Sequence, residues 1–295
     1  MIKLVVTDMN GTLLNAAQQV DHTRLARLLQ RLAQQQAYFA VCSGNQYRHL
    51  REVLAPLTAD NLIYVAENGA SIYWQDQQIF DGALTQQQLA DFLAAYQAQV
   101  PALQHAYVIL TGNERSYTNQ GVAPDLLAQA SKFYANLQPT DLTQVTEPIK
   151  KISLAYHGGV AAEHVTALND YFAGKLVAHD SGYGVIDVVR GDVSKAAAVA
   201  FLQQRWQITS AEVAAFGDGA NDIEMLQVAG QSYAMQNAPD FVKAVAQQVT
   251  ELDAEHAGVL ATLEQLLAVS KRVRNNNCSW LFLMPIAARA ALMCA

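Results

Sequence analysis

The sequence predicts an α/β protein, a doubly wound parallel sheet interrupted by an inserted α+β module. Three observations predict it. Short apolar runs alternate with helical stripes near both ends of the chain, as in parallel βαβ architecture. A middle stretch of about a hundred residues breaks that rhythm. Polar and acidic clusters fall where the apolar runs stop, and in doubly wound sheets ligands collect beyond those strand ends.

Ile2 to Thr7 is nearly continuously apolar, the pattern of a strand buried on both faces. Asp21 then reads as the cap of a helix whose Leu25, Leu28, Leu29 and Leu32 share one stripe. Tyr38 to Cys42 and Leu62 to Ala66 read as strands, with a helix over Asn45 to Leu54 between them. The rhythm returns with a helix over Asp192 to Trp206, a strand over Val213 to Phe216, a helix over Asn221 to Ala229 and a strand over Ser232 to Met235. Helices over Pro239 to Val249 and Ala257 to Ala268 close the pattern. Between Leu84 and Tyr183, helices (Gln86 to Gln97, Asp125 to Leu137, Ala161 to Phe172) are mixed with isolated strands (Ala106 to Leu110, Lys151 to Tyr156, Lys175 to Ala178). The expected division is therefore a parallel domain from residues 1–83 and 185–270, an inserted domain over 84–184, and a tail over 271–295.

Composition narrows the function classes. With 52% hydrophobic and 15% charged residues, the 295-residue chain can bury a substantial core. A net charge of −7 argues against a nucleic-acid partner, which needs clustered Lys and Arg. The one short basic cluster, Lys271-Arg272-Val273-Arg274, reads as a solvated helix end. Cys42, Cys278 and Cys294 have no paired spacing, so neither a disulfide framework nor a thiolate metal site is expected. Met1 runs directly into the first strand, leaving no room for a signal peptide, so a cytoplasmic location is expected. The apolar tail around Trp280 to Ala288 is broken by Pro285 and is too short to span a membrane, which takes about 20 residues. No motif speaks to oligomeric state.

Four segments carry chemistry. Asp8 ends the first strand and is followed by Met9-Asn10-Gly11-Thr12. A carboxylate so placed can attack phosphorus while backbone N–H groups hold the phosphoryl oxygens, and the same residues read as a simple Asn-Gly turn. Ser43-Gly44-Asn45 ends the second strand and suits a phosphate or merely a helix cap. Lys195 lies in the first turn of a helix, where a cation opposes the helix dipole. It is either a solvated surface residue or the partner of a phosphate. Gly217-Asp218-Gly219-Ala220-Asn221-Asp222 offers two carboxylates and an amide at a strand end, a set of hard oxygen donors that suits magnesium. The competing reading is an acidic loop capped by Asn221 or Asp222. Seven histidines show no paired spacing for zinc, and His179, near the inserted module's return to the parallel domain, reads as a surface residue, with contact to a substrate as the alternative. Gly112 to Gln120 reads as a loop, turned to a pocket or to solvent.

In this order the four segments resemble the four motifs of the haloacid dehalogenase superfamily. Glu67-Asn68-Gly69-Ala70, Ser181-Gly182-Tyr183-Gly184 and Tyr233-Ala234-Met235-Gln236-Asn237-Ala238 narrow the resemblance to its Cof-type, sugar-phosphatase-like branch, over residues 1–270. The resemblance implies that the inserted domain is a large α+β cap and that the substrate is a small phosphorylated metabolite, a sugar phosphate. It implies Asp8 as the nucleophile forming an aspartyl-phosphate. It implies Mg2+ held by Asp8, the carbonyl of Asn10 and Asp218. Met9 through its backbone, Ser43, Gly44, Lys195 and Asn221 would hold the phosphoryl group, and Asp222 would steady Lys195 or a metal-bound water.

The chain departs from that pattern at Asn10, where phosphatases of this group carry an Asp that protonates the leaving alcohol and later deprotonates water. An amide keeps the backbone carbonyl for the metal and loses the proton shuttle. The expectation is a phosphatase of reduced rate. The alternative is a catalytically impaired protein that binds or senses sugar phosphates in the same pocket. A mutase is a third reading, made less favourable by the large cap.

Overall fold

The computed structural model describes residues 1–134, 136–156, 162–181 and 184–268. The basic cluster and the apolar tail lie outside these residues, as do Gly182 and Tyr183. Among the described residues no helix is long and apolar enough to cross a membrane.

The chain opens with β1 (Leu4–Thr7), β2 (Tyr38–Cys42), β3 (Leu62–Ala66), β4 (Ser71–Trp74) and β5 (Gln77–Asp81). It then builds β6 (Ala106–Thr111), β7 (Ser116–Asn119), β8 (Leu137–Thr140), β9 (Lys151–Tyr156), β10 (Leu176–Asp180) and β11 (Val185–Arg190). It returns with β12 (Val213–Gly217), β13 (Gln231–Ala234) and the short β14 (Gln248–Val249).

Two sheets result. The eight-stranded sheet runs β14-β13-β12-β1-β2-β3-β4-β5 and is parallel from β14 to β3, with β4 and β5 added antiparallel. Its central strands are buried on both faces, which is why they read as unbroken apolar runs. The helix His22–Ala33 buries Leu25, Leu28, Leu29 and Leu32, and the Asp21 carboxylate accepts from the Arg24 N–H as its cap. Cys42 is a free, buried core residue. β12, β1 and β2 are neighbours, so the loops at their carboxyl ends converge.

The six-stranded sheet runs β10-β11-β9-β6-β7-β8, all antiparallel except the β7/β8 edge. Val108, Leu110, Ile152, Leu154, Ile186 and Val188 fill one face and share a core with Phe92 of the helix Gln86–Gln97 and Leu168 and Phe172 of the helix Ala162–Phe172.

The structure revises several boundaries. β11 pairs with β10 and β9, so the second sheet runs to Arg190, beyond the expected division at 184/185. The apolar alternation of Val185 to Arg190 suits either sheet, and only pairing decides. The helix expected over Asp125 to Leu137 is Pro124–Ala130, followed by β8. The helix expected from Pro239 is only Asp240–Lys243, followed by β14. The segment Gly112 to Gln120 contains β7 instead of being all loop.

Candidate active site

Asp8 follows β1, Ser43 follows β2 and Asp218 follows β12, so three adjacent parallel strands deliver the first, second and fourth motifs to one crevice. The third arrives on the helix Lys195–Trp206, whose N-cap Ser194 accepts from the Ala197 N–H. Capping and the helix start place Lys195 at the first helical position, pointing inward. Lys195 is buried to 1% exposure, which rules out the solvated reading. Its Nζ donates to Asp8 Oδ1 at 2.5 Å and to Asp222 Oδ1 at 2.7 Å. Burial works against the lysine charge, but Asp222 and Asp8 outweigh it and hold the ammonium above its ordinary pKa.

Asp222 is fully committed. Besides the lysine, its Oδ2 accepts from the Asp218 and Gly219 N–H groups at 3.0 and 2.9 Å, which closes the acidic loop. Of the two roles expected for Asp222, holding Lys195 is the one its geometry fits. Asp218 Oδ1 accepts from the Thr12 hydroxyl at 2.6 Å, tying the first and fourth motifs together. Carboxylate oxygens of Asp8, Asp218 and Asp222 lie within 4.8 Å of one another, a grouping that can hold a metal ion. Both oxygens of Asp222 accept hydrogen bonds, whereas Asp8 and Asp218 each accept at Oδ1 alone. Burial pushes Asp8 up to about 7 against the pull of Lys195, with Asp222 and Asp218 adding to the rise. Burial also raises Asp218, opposed by the Thr12 hydrogen bond. Three crowded carboxylates facing one lysine carry an excess of negative charge, and a hard divalent cation with oxygen ligands would relieve it.

Glycine makes the close approach feasible. Gly11 has φ +74°, and a Cβ there would lie 2.4 Å from Asp218 Oδ2. Met9 is buried in the core, so only its backbone can face the site. Ser43 is 3% exposed, and its Oγ accepts from the Asn45 N–H at 3.1 Å. It is not a helix cap, because the following helix starts at Tyr47 with Gln46 as N-cap. The Asn10 side chain is within reach of Asn45, whose Nδ2 donates to Asn10 Oδ1 at 3.4 Å. Asn221 Nδ2 donates to Asn68 Oδ1 at 3.2 Å.

Asn68 is the residue that sequence reasoning left without a role. Glu67, Asn68 and Gly69 are successive left-handed residues, with φ of 49°, 56° and 103°. Such a run is strained for side-chain-bearing residues and marks a place where position matters. Here it sets Asn68 between Asn221 and Asp187, with its amide donating to Asp187 Oδ2 at 3.1 Å. From the second sheet, Lys151 Nζ donates to Asp187 Oδ2 at 3.0 Å and to the Gly44 carbonyl at 2.8 Å. Lys151 opens β9 and Asp187 interrupts the apolar β11, and a buried charge in such a strand signals a buried partner. His179, expected at the surface, has a buried Nε2, and burial lowers its pKa.

Comparison with known proteins gives the chain its relatives. A family model for haloacid dehalogenase-like hydrolases matches residues 5–263. The 5-amino-6-(5-phospho-D-ribitylamino)uracil phosphatase YbjI of Escherichia coli K12 is 31% identical over 267 residues, 90% of this chain and 96% of its own. The crystal structure of SMU.1108c from Streptococcus mutans UA159 superposes with a TM-score of 0.84 at 34% identity, covering 91% of this chain and all of that one, 100%. The HAD subclass IIB sugar phosphatase BT4131 shares the fold, with a TM-score of 0.73 at 18% identity over 90% of this chain and 98% of its own. The chain belongs to the haloacid dehalogenase-like hydrolases and is a phosphatase of that family.

Proposed function

We propose that the chain hydrolyses small phosphomonoesters, sugar phosphates among them, through transfer of the phosphoryl group to Asp8. The observation that carries the reading is the buried Lys195, which bridges Asp8 and Asp222 beside Asp218 at neighbouring strand ends. Phosphoryl transfer is mostly positioning and charge stabilisation, and this set supplies both. Asp8 attacks phosphorus as the bond to the leaving oxygen breaks. Lys195, Ser43, Asn221 and the backbone N–H groups of Met9 and Gly44 hold the phosphoryl oxygens, and Asp222 fixes Lys195. Magnesium held by Asp8, the Asn10 carbonyl and Asp218 would supply charge neutralisation at the transferred group. The large cap, expected over 84–184 and extended here to the end of its sheet at Arg190, would cover the crevice. A cytoplasmic site of action goes with such substrates.

Asn10 sets the rate. Its amide has no proton to give the leaving alkoxide and cannot take one from the water that attacks the aspartyl-phosphate. General acid–base help is worth roughly 10²–10⁴-fold. The same observation supports the second reading, a binding or regulatory protein with little turnover.

Asn10→Asp separates the two. Steady-state phosphate release from simple esters with magnesium should rise by roughly 10²–10⁴-fold. No rise would remove the acid–base role from this position. The panel includes 5-amino-6-(5-phospho-D-ribitylamino)uracil, the substrate named for the E. coli relative. Peptide mass measurement at position 10 accompanies the assay, since Asn10-Gly11 is a sequence prone to deamidation and a trace of Asp would imitate activity.

A further inference from the structure

The left-handed turn Glu67–Gly69 meets three of the four motifs. Its backbone holds the second: the Asn68 N–H donates to the Ser43 carbonyl at 2.9 Å and the Glu67 N–H to the Asn45 carbonyl at 3.0 Å. It abuts the third, since a Cβ on Gly69 would lie 2.5 Å from the carbonyl oxygen of Ser194, the residue before Lys195. It reaches the fourth through the hydrogen bond between Asn68 and Asn221. Asn68 is buried, and its φ of 56° lies in the region that Asn enters more readily than most side-chain-bearing residues. The turn therefore holds one amide among the groups that surround the phosphoryl site.

That amide can face only one way. Asp187 accepts from Lys151 Nζ at 3.0 Å and from the hydroxyls of Ser153 and Ser181, both at 2.7 Å. A carboxylate paired with a lysine accepts and cannot donate. The Asn68 nitrogen must therefore face Asp187, which leaves its oxygen for Asn221. An oxygen there admits only the Asn221 nitrogen, so the second amide is oriented in its turn. The Asn221 oxygen is directed toward Gly219, where an added Cβ would lie 2.8 Å from it. One N–H of Asn221 Nδ2 is engaged by Asn68, and the other is a donor for a phosphoryl oxygen. Turned end for end, Asn221 would meet an anion with a lone pair.

We infer that Asn68 is a positioning residue that sets the polarity of Asn221. Asp187 orients Asn68, Asn68 orients Asn221, and Asn221 then presents an N–H to the phosphoryl group. The inference rests on the phosphatase reading above, in which Asn221 holds that group. Asn68 and Asp187 act in this way without touching substrate.

Calorimetry of inorganic phosphate binding to the full chain with magnesium tests the relay. The quantity read is the affinity lost on Asn221→Ala, measured with three different residues at position 68. With Asn68 in place the loss should be about ten- to a hundredfold, the worth of a hydrogen bond to a charged group. Asn68→Gly keeps the left-handed backbone and removes the amide, so Asn221→Ala should then cost at most about threefold more. Asn68→Gly alone should already lower phosphate affinity by most of the full factor, with magnesium affinity unchanged because Asp8 and Asp218 are untouched. Asn68→Asp still offers an oxygen to Asn221, so in that background Asn221→Ala should again cost the full factor. Comparing losses within one background cancels the charge that Asn68→Asp adds.

An Asn221→Ala loss as large with Asn68→Gly as without it overturns the assignment and leaves the phosphatase reading intact. So does a fall in magnesium affinity equal to the fall in phosphate affinity, the mark of a merely structural residue. If the glycine variant does not fold, Asn68→Asp decides, and a vanished Asn221 effect there overturns the relay. No binding of inorganic phosphate to the unsubstituted chain would overturn both.

Discussion

The parallel sheet and the antiparallel sheet hold their functional groups in different ways. In the parallel domain the groups stand at strand ends, and strands buried on both faces fix the backbone that carries them. Asp8, Ser43 and Asp218 are brought together by the order β12-β1-β2. In the cap they stand along strands, on one face of a sheet whose other face is apolar. Each domain also buries a lysine against carboxylate, Lys195 with Asp8 and Asp222, and Lys151 with Asp187. The surroundings differ. Asp187 also accepts from Asn68, Ser153 and Ser181, so it keeps partners if its lysine is lost. Asp8 and Asp222 share one cation; Asp222 keeps the Asp218 and Gly219 N–H groups if that lysine is lost, but the Asp8 carboxylate depends on it. Neutral hydrogen bonds make the cap pair robust, while the strand-end cluster, with three carboxylates to one lysine, carries an excess of negative charge.

The largest effect that would break this comparison is in the lysines themselves. Lys195→Met should destabilise the metal-free fold by about 3–5 kcal/mol, because it strands buried charge. Lys151→Met should cost about 1–3 kcal/mol, the penalty of an incompletely satisfied group. Urea denaturation of both variants measures the gap, and equal losses would mean that the extra donors around Asp187 do not compensate.

Gly11→Ala probes the strand-end loop. A left-handed alanine costs roughly 1–2 kcal/mol, and the new Cβ would collide with Asp218 Oδ2. Stability should fall by about that amount, and magnesium affinity should fall further, as read by titration calorimetry. A magnesium affinity that tracks stability alone would remove Asp218 from the ligand set.

The smallest and sharpest test is pH. Burial raises Asp8 to about 7, above its unfolded value of 3.8. The Asp8 contribution to stability of the metal-free fold is therefore fully present below about pH 4 and lost as pH rises through 7. Magnesium must displace that proton, so its affinity should increase about tenfold per pH unit up to about 7 and then level off. A flat magnesium affinity between pH 5 and about 8 would contradict the raised carboxyl.

Much of the core was legible. The runs Leu4–Thr7, Tyr38–Cys42 and Leu62–Ala66 were recoverable because a strand buried on both faces admits little but apolar residues. The cap was less so: β7, β8 and β11 escaped because short alternating strands look like loops or like parts of the neighbouring domain. Asp8, Ser43, Lys195 and Asp218 to Asp222 could be picked out as segments. Asn68, Lys151, Thr12 and Asn45 could not be given roles, since each matters through a contact distant in sequence.

What the sequence determined by itself was local. A carboxylate ends the first strand, glycines follow it, an amide stands at position 10, and two apolar periodicities separate one domain type from another. These follow from residue-by-residue sterics and hydrophobic patterning. Only the tertiary structure decided that Lys195 is buried between Asp8 and Asp222, and that Asn68 stands between Asp187 of the cap and Asn221. Burial and pairing are properties of neighbours brought from far along the chain, and no single residue encodes them.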